Sequence, residues 1–271
     1  MLNINDIVSQ TDLYNLHTHT QFCDARAPME DFVREAIALH FTHLGFTPHS
    51  PTTAESPCNM SRASVHDYFQ EMERLRGIYG GQIHLYTGME IDYVNDFGPS
   101  DSYFQSLPLD YSIGSVHFIP AINNPSLLID IDGHYDAFKK KMHNYFEDDI
   151  EYVVRTFFAQ SMQMVEKGGF DIVGHFDKIG LNASLYSSNL DEEPWFDKLV
   201  LQMFESIMDC HLTVEINTKS WLQHNRFFPN IKYFAMLKKY KAPVVINSDA
   251  HYPTLLNSGR NEARRLLDSL G

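Results

Sequence analysis

The chain has 271 residues, of which 44% are hydrophobic, and its formal net charge at pH 7 is −14. This acidic balance, with no basic run, argues against long nucleic acid as a partner, because phosphate contacts require clustered Lys and Arg. No apolar run approaches the roughly 18 residues that a membrane span needs, so we expect no membrane association.

Short apolar runs alternate with helical patterns along the chain. Seven runs predict strands at residues 13–17, 43–48, 83–90, 111–117, 170–175, 212–217 and 244–249. Apolar residues at helical spacing predict helices at 28–41, 64–79, 146–167, 194–209, 231–240 and 261–270. This alternation predicts an α/β fold with a parallel sheet, open or closed. Residues 52–61 and the longer stretch 119–136 read as irregular loops, and no linker divides the chain, so we expect a single domain over 1–271.

The cysteines and the first residues bear on the compartment. Cys23, Cys58 and Cys210 lie far apart and are odd in number, so a disulfide framework is not expected. Residues 1–6 have neither the basic nor the apolar part of a signal peptide. Both features predict a cytoplasmic protein.

Side chains that bind metal or act in catalysis follow every predicted strand. In chain order they are His17 with His19, His49, Glu90, His117, His175, Glu215 with Asn217, and Asp249 with His251, while Asp24 lies in the loop after the first strand. Residues i and i+2 of a strand point to one face, so His17 and His19 can reach one ion. Because the carboxyl ends of parallel strands share one face, the sequence predicts a metal site there.

A structural role is the alternative for each of these residues taken alone. A single histidine at a strand end is more often a packed residue than a ligand. The same arrangement on seven strands favours the metal site, because chance would have to repeat it seven times. The remaining histidines fit surface or packing roles, with His134 and His224 as the best exceptions because both lie in predicted loops.

Other motifs do not fit. The segment Asp130-Ile131-Asp132-Gly133 is similar to the start of an aspartate-nucleophile phosphatase motif, but it lacks the Thr or Val expected two residues after the second Asp. It also fails as a calcium-binding EF-hand loop, which places Gly at the sixth position and Glu at the twelfth. Neither a Gly-x-Ser-x-Gly turn nor a phosphate-binding glycine loop is present in the sequence.

The combined motifs resemble those of PHP-domain (polymerase and histidinol phosphatase) hydrolases, near the monofunctional histidinol-phosphate phosphatase branch. The matching segments are HTHTQFCD at 17–24, LGFTPHS at 44–50, GMEID at 88–92, DYSIGSVHF at 110–118, FDIVGHFD at 170–177, VEINT at 214–218 and NSDAH at 247–251. The resemblance covers nearly the whole chain and implies a distorted, TIM-barrel-like (β/α)7 barrel of PHP type.

The same resemblance implies a site for three metal ions. One ion would take His17, His19, Glu90 and Asp249. A second would share Glu90 and take His117 and His175. The third would take Asp24, His49 and His251. This ligand set matches the residues obtained from the strand ends.

The donor types predict which ions bind. Six imidazoles and three carboxylates suit Zn, Mn or Fe better than Ca or Mg, so we expect three divalent transition-metal ions. Three such ions and three carboxylates would carry a net charge of about +3, which a hydroxide and a phosphate dianion would neutralise. We therefore expect a phosphorylated substrate.

The expected chemistry is attack on phosphorus by a metal-activated hydroxide, held by His17, His19, Glu90, His117, His175 and Asp249. Arg226, Lys219 and Arg62 are candidate phosphate clamps from loops, with ordinary solvated charge as the alternative for each. After Thr218 the chain continues Lys219-Ser220-Trp221-Leu222, where phosphatase relatives often have Ser-Gly-Leu-Arg. This departure leaves the substrate open.

The leading hypothesis is a phosphomonoesterase acting on a small phosphorylated metabolite, L-histidinol phosphate in histidine biosynthesis. One alternative is a PHP phosphoesterase that acts on nucleotides or oligonucleotide ends. Another is a non-catalytic PHP module that supports a partner protein, although such a scaffold need not keep all nine candidate ligands.

Overall fold

The computed structural model describes residues 2–270. Each of the seven predicted runs contains a strand, the run 83–90 is divided between two strands, and two further strands, at 118–121 and 124–130, were not predicted. The strands are β1 Tyr14–Asn15, β2 His43–Phe46, β3 His84–Thr87, β4 Glu90–Asp92, β5 Ile113–Ser115, β6 Phe118–Ala121, β7 Asn124–Asp130, β8 Ile172–Val173, β9 Thr213–Asn217 and β10 Val244–Asn247. Eight of them form two parallel sheets, ordered β1-β2-β3 and β10-β9-β8-β5-β4. The fold is therefore mixed α/β with parallel sheets, as expected.

Helices occupy the segments between the strands. They are α1 Ile4–Gln10, α2 Met29–Ala38, α3 Ser64–Tyr79, α4 Ser102–Gln105, α5 Tyr135–Tyr145, α6 Ile150–Lys167, α7 Ile179–Tyr186, α8 Pro194–Asp209, α9 Trp221–His224, α10 Phe234–Lys239 and α11 Arg260–Ser269. The predictions for α3 and α8 match to the residue. None of the helices in residues 2–270 combines the length and apolarity needed to cross a membrane.

Two isolated parallel bridges lie between the two sheets. Thr18, beyond the end of β1, pairs with Ala250, beyond the end of β10. His49, beyond the end of β2, pairs with Glu90 at the start of β4. The backbone pairing at these bridges brings the candidate ligands of both sheets next to one another.

Apolar packing on the outer faces of the sheets fixes the strands. Helix α6 presents Phe157 and Phe158 to a core that it shares with α8, whose Phe196 and Phe204 are buried. A second core lies around α2, α3 and β2. Strands covered in this way read as continuous apolar runs, which is why the sequence revealed them.

The prediction of an irregular segment at 119–136 was wrong. Strands β6 and β7 form an antiparallel hairpin in which Ala121 pairs with Asn124, so the turn is only two residues long. Most residues of β7 are exposed, and Ile129 is the buried one. A strand that lies on the surface has no continuous apolar run, so the periodicity gave no signal. Helix α5 begins within the same stretch, at Tyr135.

Candidate metal centre

The structure brings all nine predicted ligands together. Eight of them follow the carboxyl ends of strands, and Glu90 is the first residue of β4, where it pairs with His49 beyond the end of β2. The donor atoms form overlapping groups in which the atoms lie within 4.8 Å of one another: His17, His19 and Asp249; Glu90, His117 and His175; His19, Asp24, His49 and His251; and His49, Asp92 and His117. The first three groups contain the three ligand sets that the family resemblance implied, apart from Glu90 in the first.

Glu90 stands between two of these groups. Its Oε1 lies 3.0 Å from His175 Nε2 and 3.5 Å from His117 Nε2. Its Oε2 lies 3.4 Å from His17 Nε2 and 3.1 Å from His49 Nδ1. One carboxylate thus faces ligands from more than one set, as a bridging ligand would.

His17 and His19 approach the cluster from the end of β1. Their rings stack with centroids 5.4 Å apart, which agrees with the same-face prediction for residues i and i+2. His19 Nε2 lies 2.8 Å from Asp249 Oδ1, and His17 Nε2 lies 3.9 Å from the same oxygen. Asp249 adopts a left-handed backbone conformation with φ of 50°, so the chain turns sharply after β10.

The remaining ligands lie nearer the solvent. Asp24 Oδ2 is 3.1 Å from His251 Nε2 and 4.0 Å from His49 Nε2, and Asp24 Oδ1 is 3.2 Å from His19 Nδ1. A loop of several residues carries Asp24 back to the strand ends, where Arg26 N donates to His251 O.

Several donor atoms of the cluster are buried without a hydrogen-bond partner. They include His17 Nε2, His19 Nε2, His49 Nδ1 and Glu90 Oε2. A buried polar atom without a partner costs about 1–3 kcal/mol, so a group of them at one place is unfavourable unless something binds there. Divalent ions would satisfy these atoms, and the mixed nitrogen and oxygen donors suit zinc, manganese or iron. The residues therefore fit a metal centre.

Carboxylates behind the cluster orient its histidines. His17 Nδ1 donates to Glu215 Oε1 at 2.7 Å, and His117 Nδ1 donates to Asp92 Oδ1 at 2.6 Å. Such bonds fix the ring and leave Nε2 as the atom that faces an ion. Glu215 was among the strand-end candidates but was assigned to no ion, and Asp92 was not a candidate. The spacing Glu90-Ile91-Asp92 was the available signal, because both acids lie on one face of β4.

Burial and the carboxylates shift the histidine pKa values in opposite directions across the cluster. Burial disfavours protonated His17, yet Glu215, Asp249 and Glu90 outweigh it and raise the pKa to about 10. Burial likewise opposes the protonation of His117, whose pKa Asp92 and Glu90 raise to about 9. For His251 burial prevails and lowers the pKa to about 4.

A cleft of about 940 Å³ opens beside the cluster, and Asp24, Asp249 and His251 line it. His134 and His224, the two exceptions among the remaining histidines, also line this cleft.

Of the three predicted phosphate clamps, the structure brings only Lys219 to the cluster. Lys219 Nζ lies 3.4 Å from Asp249 Oδ1 and 3.3 Å from His251 Nε2. Arg226 is instead paired with Asp191 at 2.5 Å and with Asp177 at 3.5 Å. The Arg62 guanidinium is stacked 4.5 Å from the centre of the Tyr103 ring. These contacts give both arginines structural roles that the sequence did not reveal.

The PHP domain profile matches residues 15–219, which is most of the chain. The chain belongs to the PHP domain family. A probable histidinol-phosphatase of Deinococcus radiodurans is 25% identical over 257 residues, covering 90% of this chain and 88% of the relative. The histidinol-phosphatase of Bacillus subtilis is 26% identical over 251 residues, covering 87% of this chain and 92% of the relative.

Two solved structures share the fold of this PHP domain. The putative histidinol phosphatase of Listeria monocytogenes superposes with a TM-score of 0.80 at 17% identity, over 92% of this chain and 99% of that one. The histidinol phosphate phosphatase of Lactococcus lactis, in complex with zinc, L-histidinol and phosphate, gives a TM-score of 0.73 at 19% identity, over 95% of this chain and 93% of that one.

Proposed function

We propose that this protein is a metal-dependent phosphomonoesterase that hydrolyses L-histidinol phosphate to L-histidinol and phosphate in histidine biosynthesis. The observation that carries the proposal is the convergence of unpartnered imidazole and carboxylate atoms around Glu90, beside an open cleft. The names of the relatives support the substrate, as does the zinc, histidinol and phosphate complex of the Lactococcus lactis enzyme.

We also propose that residues 1–271 form a single domain. Its strands would form a distorted seven-stranded (β/α)7 barrel. In this arrangement β3 and β4 act as one interrupted strand, and the bridges Thr18–Ala250 and His49–Glu90 close the ring. The free cysteines suit the cytoplasm, where thiols stay reduced.

The nine ligands would hold three divalent ions. His17, His19 and Asp249 would hold the first, with Glu90 shared between it and a second ion bound by His117 and His175. Asp24, His49 and His251 would hold the third. The distances between donor atoms within each set support this division.

The ions would supply Lewis acidity and an activated water for in-line attack on phosphorus. Glu215 and Asp92 hold His17 and His117 in fixed orientations through their Nδ1 atoms. Asn217 Nδ2 donates to Glu215 Oε2 and to Asp249 Oδ2, which links a ligand carboxylate to the orienting one. Lys219 adds a cation at the mouth of the site, where it would contact a phosphate oxygen.

A phosphate-release assay on protein loaded with Zn, Mn or Fe tests the proposal. Histidinol phosphate should give a kcat/KM at least about tenfold above that for other small phosphomonoesters, nucleotides and short oligonucleotides. A preference for nucleotides or oligonucleotide ends would replace the substrate. The absence of hydrolysis of every substrate by metal-loaded protein would favour a non-catalytic scaffold.

Metal analysis of the purified protein is the companion measurement. The proposal requires up to three equivalents of transition metal and their loss after treatment with a chelator. Activity should return with added metal. A protein that binds less than one equivalent and gains no activity from any of these ions would contradict the metal centre.

A further inference from the structure

A buried lysine lies beside the cluster without a role in the ligand scheme. Lys178 follows the ligand His175 closely, and its N–H donates to His175 O at 2.9 Å, which closes a tight turn before α7. The turn aims His175 at Glu90 and returns Lys178 to the wall of the cleft. The Lys178 side chain is only 13% exposed, so a cation is held at a place where burial alone would disfavour it.

Asp132 holds Lys178 in this position. Lys178 Nζ lies 2.7 Å from Asp132 Oδ2. Asp132 follows the hairpin of β6 and β7, and the neighbouring Ile131 N donates to His117 O at 2.9 Å. Asp132 N itself donates to Asp130 Oδ1 at 2.8 Å. The hairpin is thus tied to the ligand strand and delivers a carboxylate to the cleft, which gives this unpredicted element a place in the site.

The Lys178 ammonium retains donors for a ligand. An ammonium has three N–H groups. Within residues 2–270, the Lys178 ammonium is paired with one side chain, that of Asp132. The ion pair with Asp132 at 2.7 Å favours the charged form of Lys178, so Lys178 acts as a fixed cation at the wall of the cleft.

We propose that Lys178, positioned by Asp132, binds the non-bridging oxygens of the substrate phosphoryl group, opposite the second cation, Lys219. Lys178 and Lys219 line the same cleft as Asp24, Asp249 and His251. A phosphoryl dianion beside the cluster would contact one ammonium from the turn before α7 and another from the loop after β9. This inference rests on the proposed function, because it takes the substrate to be a phosphomonoester. It applies equally to inorganic phosphate, which is a product of that reaction.

Calorimetric binding of inorganic phosphate to the metal-loaded protein tests the inference. Lys178→Met keeps the length of the side chain and removes the charge. It should weaken phosphate binding about ten- to a hundredfold, the range of a charge-assisted hydrogen bond, while metal content stays unchanged. The kcat/KM for the phosphomonoester should fall by a similar factor, and Lys178→Arg should restore most of the affinity.

Two further variants separate binding from folding. Lys178→Met leaves Asp132, whose side chain is 30% exposed, without its cation. The double variant Lys178→Met with Asp132→Asn removes both charges and should lose phosphate affinity to a similar extent. Lys141→Met is the matched control, because Lys141 pairs with Asp130 at 3.0 Å near the same hairpin and does not line the cleft. It should bind phosphate like the unaltered protein.

Phosphate affinity within twofold of the unaltered protein in folded, metal-loaded Lys178→Met would overturn the inference, as would an equal loss in Lys141→Met. The proposed function fails in a different way, through lack of histidinol phosphate hydrolysis by the unaltered protein. A loss of phosphate affinity in Lys178→Met would then still assign Lys178 to an anion site.

Discussion

The two halves of the ligand cluster differ in how the protein supports them. The inner half, defined as His17, His19, Glu90, His117, His175 and Asp249, has side chains that are at most 5% exposed. The outer half, defined as Asp24, His49 and His251, has side chains that are 11–18% exposed. The inner histidines His17 and His117 donate from Nδ1 to buried carboxylates. The outer residues have no such carboxylate behind them: Asp24 contacts His19 and His251, and His49 Nδ1 lies 3.1 Å from Glu90 Oε2 within the cluster itself.

This difference indicates where the site is organised before an ion binds. Ligands whose rings are fixed by other side chains lose little freedom on binding metal, and such support raises affinity. In the outer half, His251 Nδ1 donates to the Asp249 carbonyl at 3.0 Å, which is a weaker constraint than a buried carboxylate. We therefore expect tight binding in the inner half and weaker, exchangeable binding in the outer half.

Loss of Glu90, which we propose is shared by two ions, should have the largest effect. Glu90→Gln removes the charge that faces His17, His117 and His175, and we expect activity to fall by about a thousandfold or more. The protein should also lose inner-half metal, as measured by elemental analysis beside phosphate release. Glu73→Gln changes a glutamate that is 73% exposed and serves as the control. Near-normal turnover in Glu90→Gln would remove Glu90 from the ligands.

Loss of the orienting carboxylates should have the next largest effect. Glu215→Gln and Asp92→Asn keep the shape of the side chain but weaken the hold on His17 and His117. We expect losses of about 10- to 100-fold in metal affinity or activity for each, measured by competition with a chelator. If both variants bind metal as tightly as the unaltered protein, orientation by these acids does not explain a difference in metal affinity between the inner and outer halves.

A change in the outer half should have a smaller effect that added metal can repair. His251→Ala removes a ligand that is 15% exposed, and we expect about a tenfold loss of activity at limiting metal. Excess metal should recover most of it. Titration of activity with Zn, Mn or Fe measures this. A loss that no metal concentration reverses would place His251 with the inner half.

The smallest expected effect is a pH dependence of stability in chelator-treated protein. In the ion-free fold the His17 pKa is raised to about 10, despite burial, by Glu215, Asp249 and Glu90, whereas unfolded histidine titrates near about 6.5. The stabilisation is complete below about pH 6.5 and is lost as the pH rises to about 10. The Tm should therefore fall over this range.

Two variants locate that pH dependence. His17→Gln should flatten part of the decline in Tm of chelator-treated protein, because it removes one of the groups with a raised pKa; His117 is another. His251→Gln should not, since burial lowers the His251 pKa to about 4 and its contribution to stability changes only below about pH 6.5. An equal flattening in both variants would show that the two halves share one electrostatic environment.

The strands and ligands were predictable because local patterns carried them. Buried parallel strands read as apolar runs, and the residues that follow these runs share one face of the fold. The sequence therefore predicted that residues such as His49 and Asp249 lie in one cluster, as the structure places them. Helix α3 was placed correctly from its apolar spacing. The surface hairpin of β6 and β7 was missed, because β7 is largely exposed and pairs only with β6.

The roles of the charged residues around the site were not predictable. Lys219, Arg226 and Arg62 looked equivalent in sequence, each being a cation in a loop. Folding pairs Arg226 with Asp191, which lies 35 residues away in the sequence, and stacks Arg62 on Tyr103. Lys178 gave no signal, since its partner Asp132 comes from the hairpin that the sequence did not reveal.

The sequence by itself determined the α/β alternation, the family and the nine residues that the structure brings together, because each depends on residues close together along the chain. Only the tertiary structure decided which cation faces the cleft, which acids orient the histidines, and which half of the cluster has histidines held by buried carboxylates. These properties depend on contacts between distant segments, such as Glu215 with His17, which are 198 residues apart. Burial then sets the pKa values of these groups, because an ion pair or an imidazole that is removed from water titrates at a different pH from one that stays solvated.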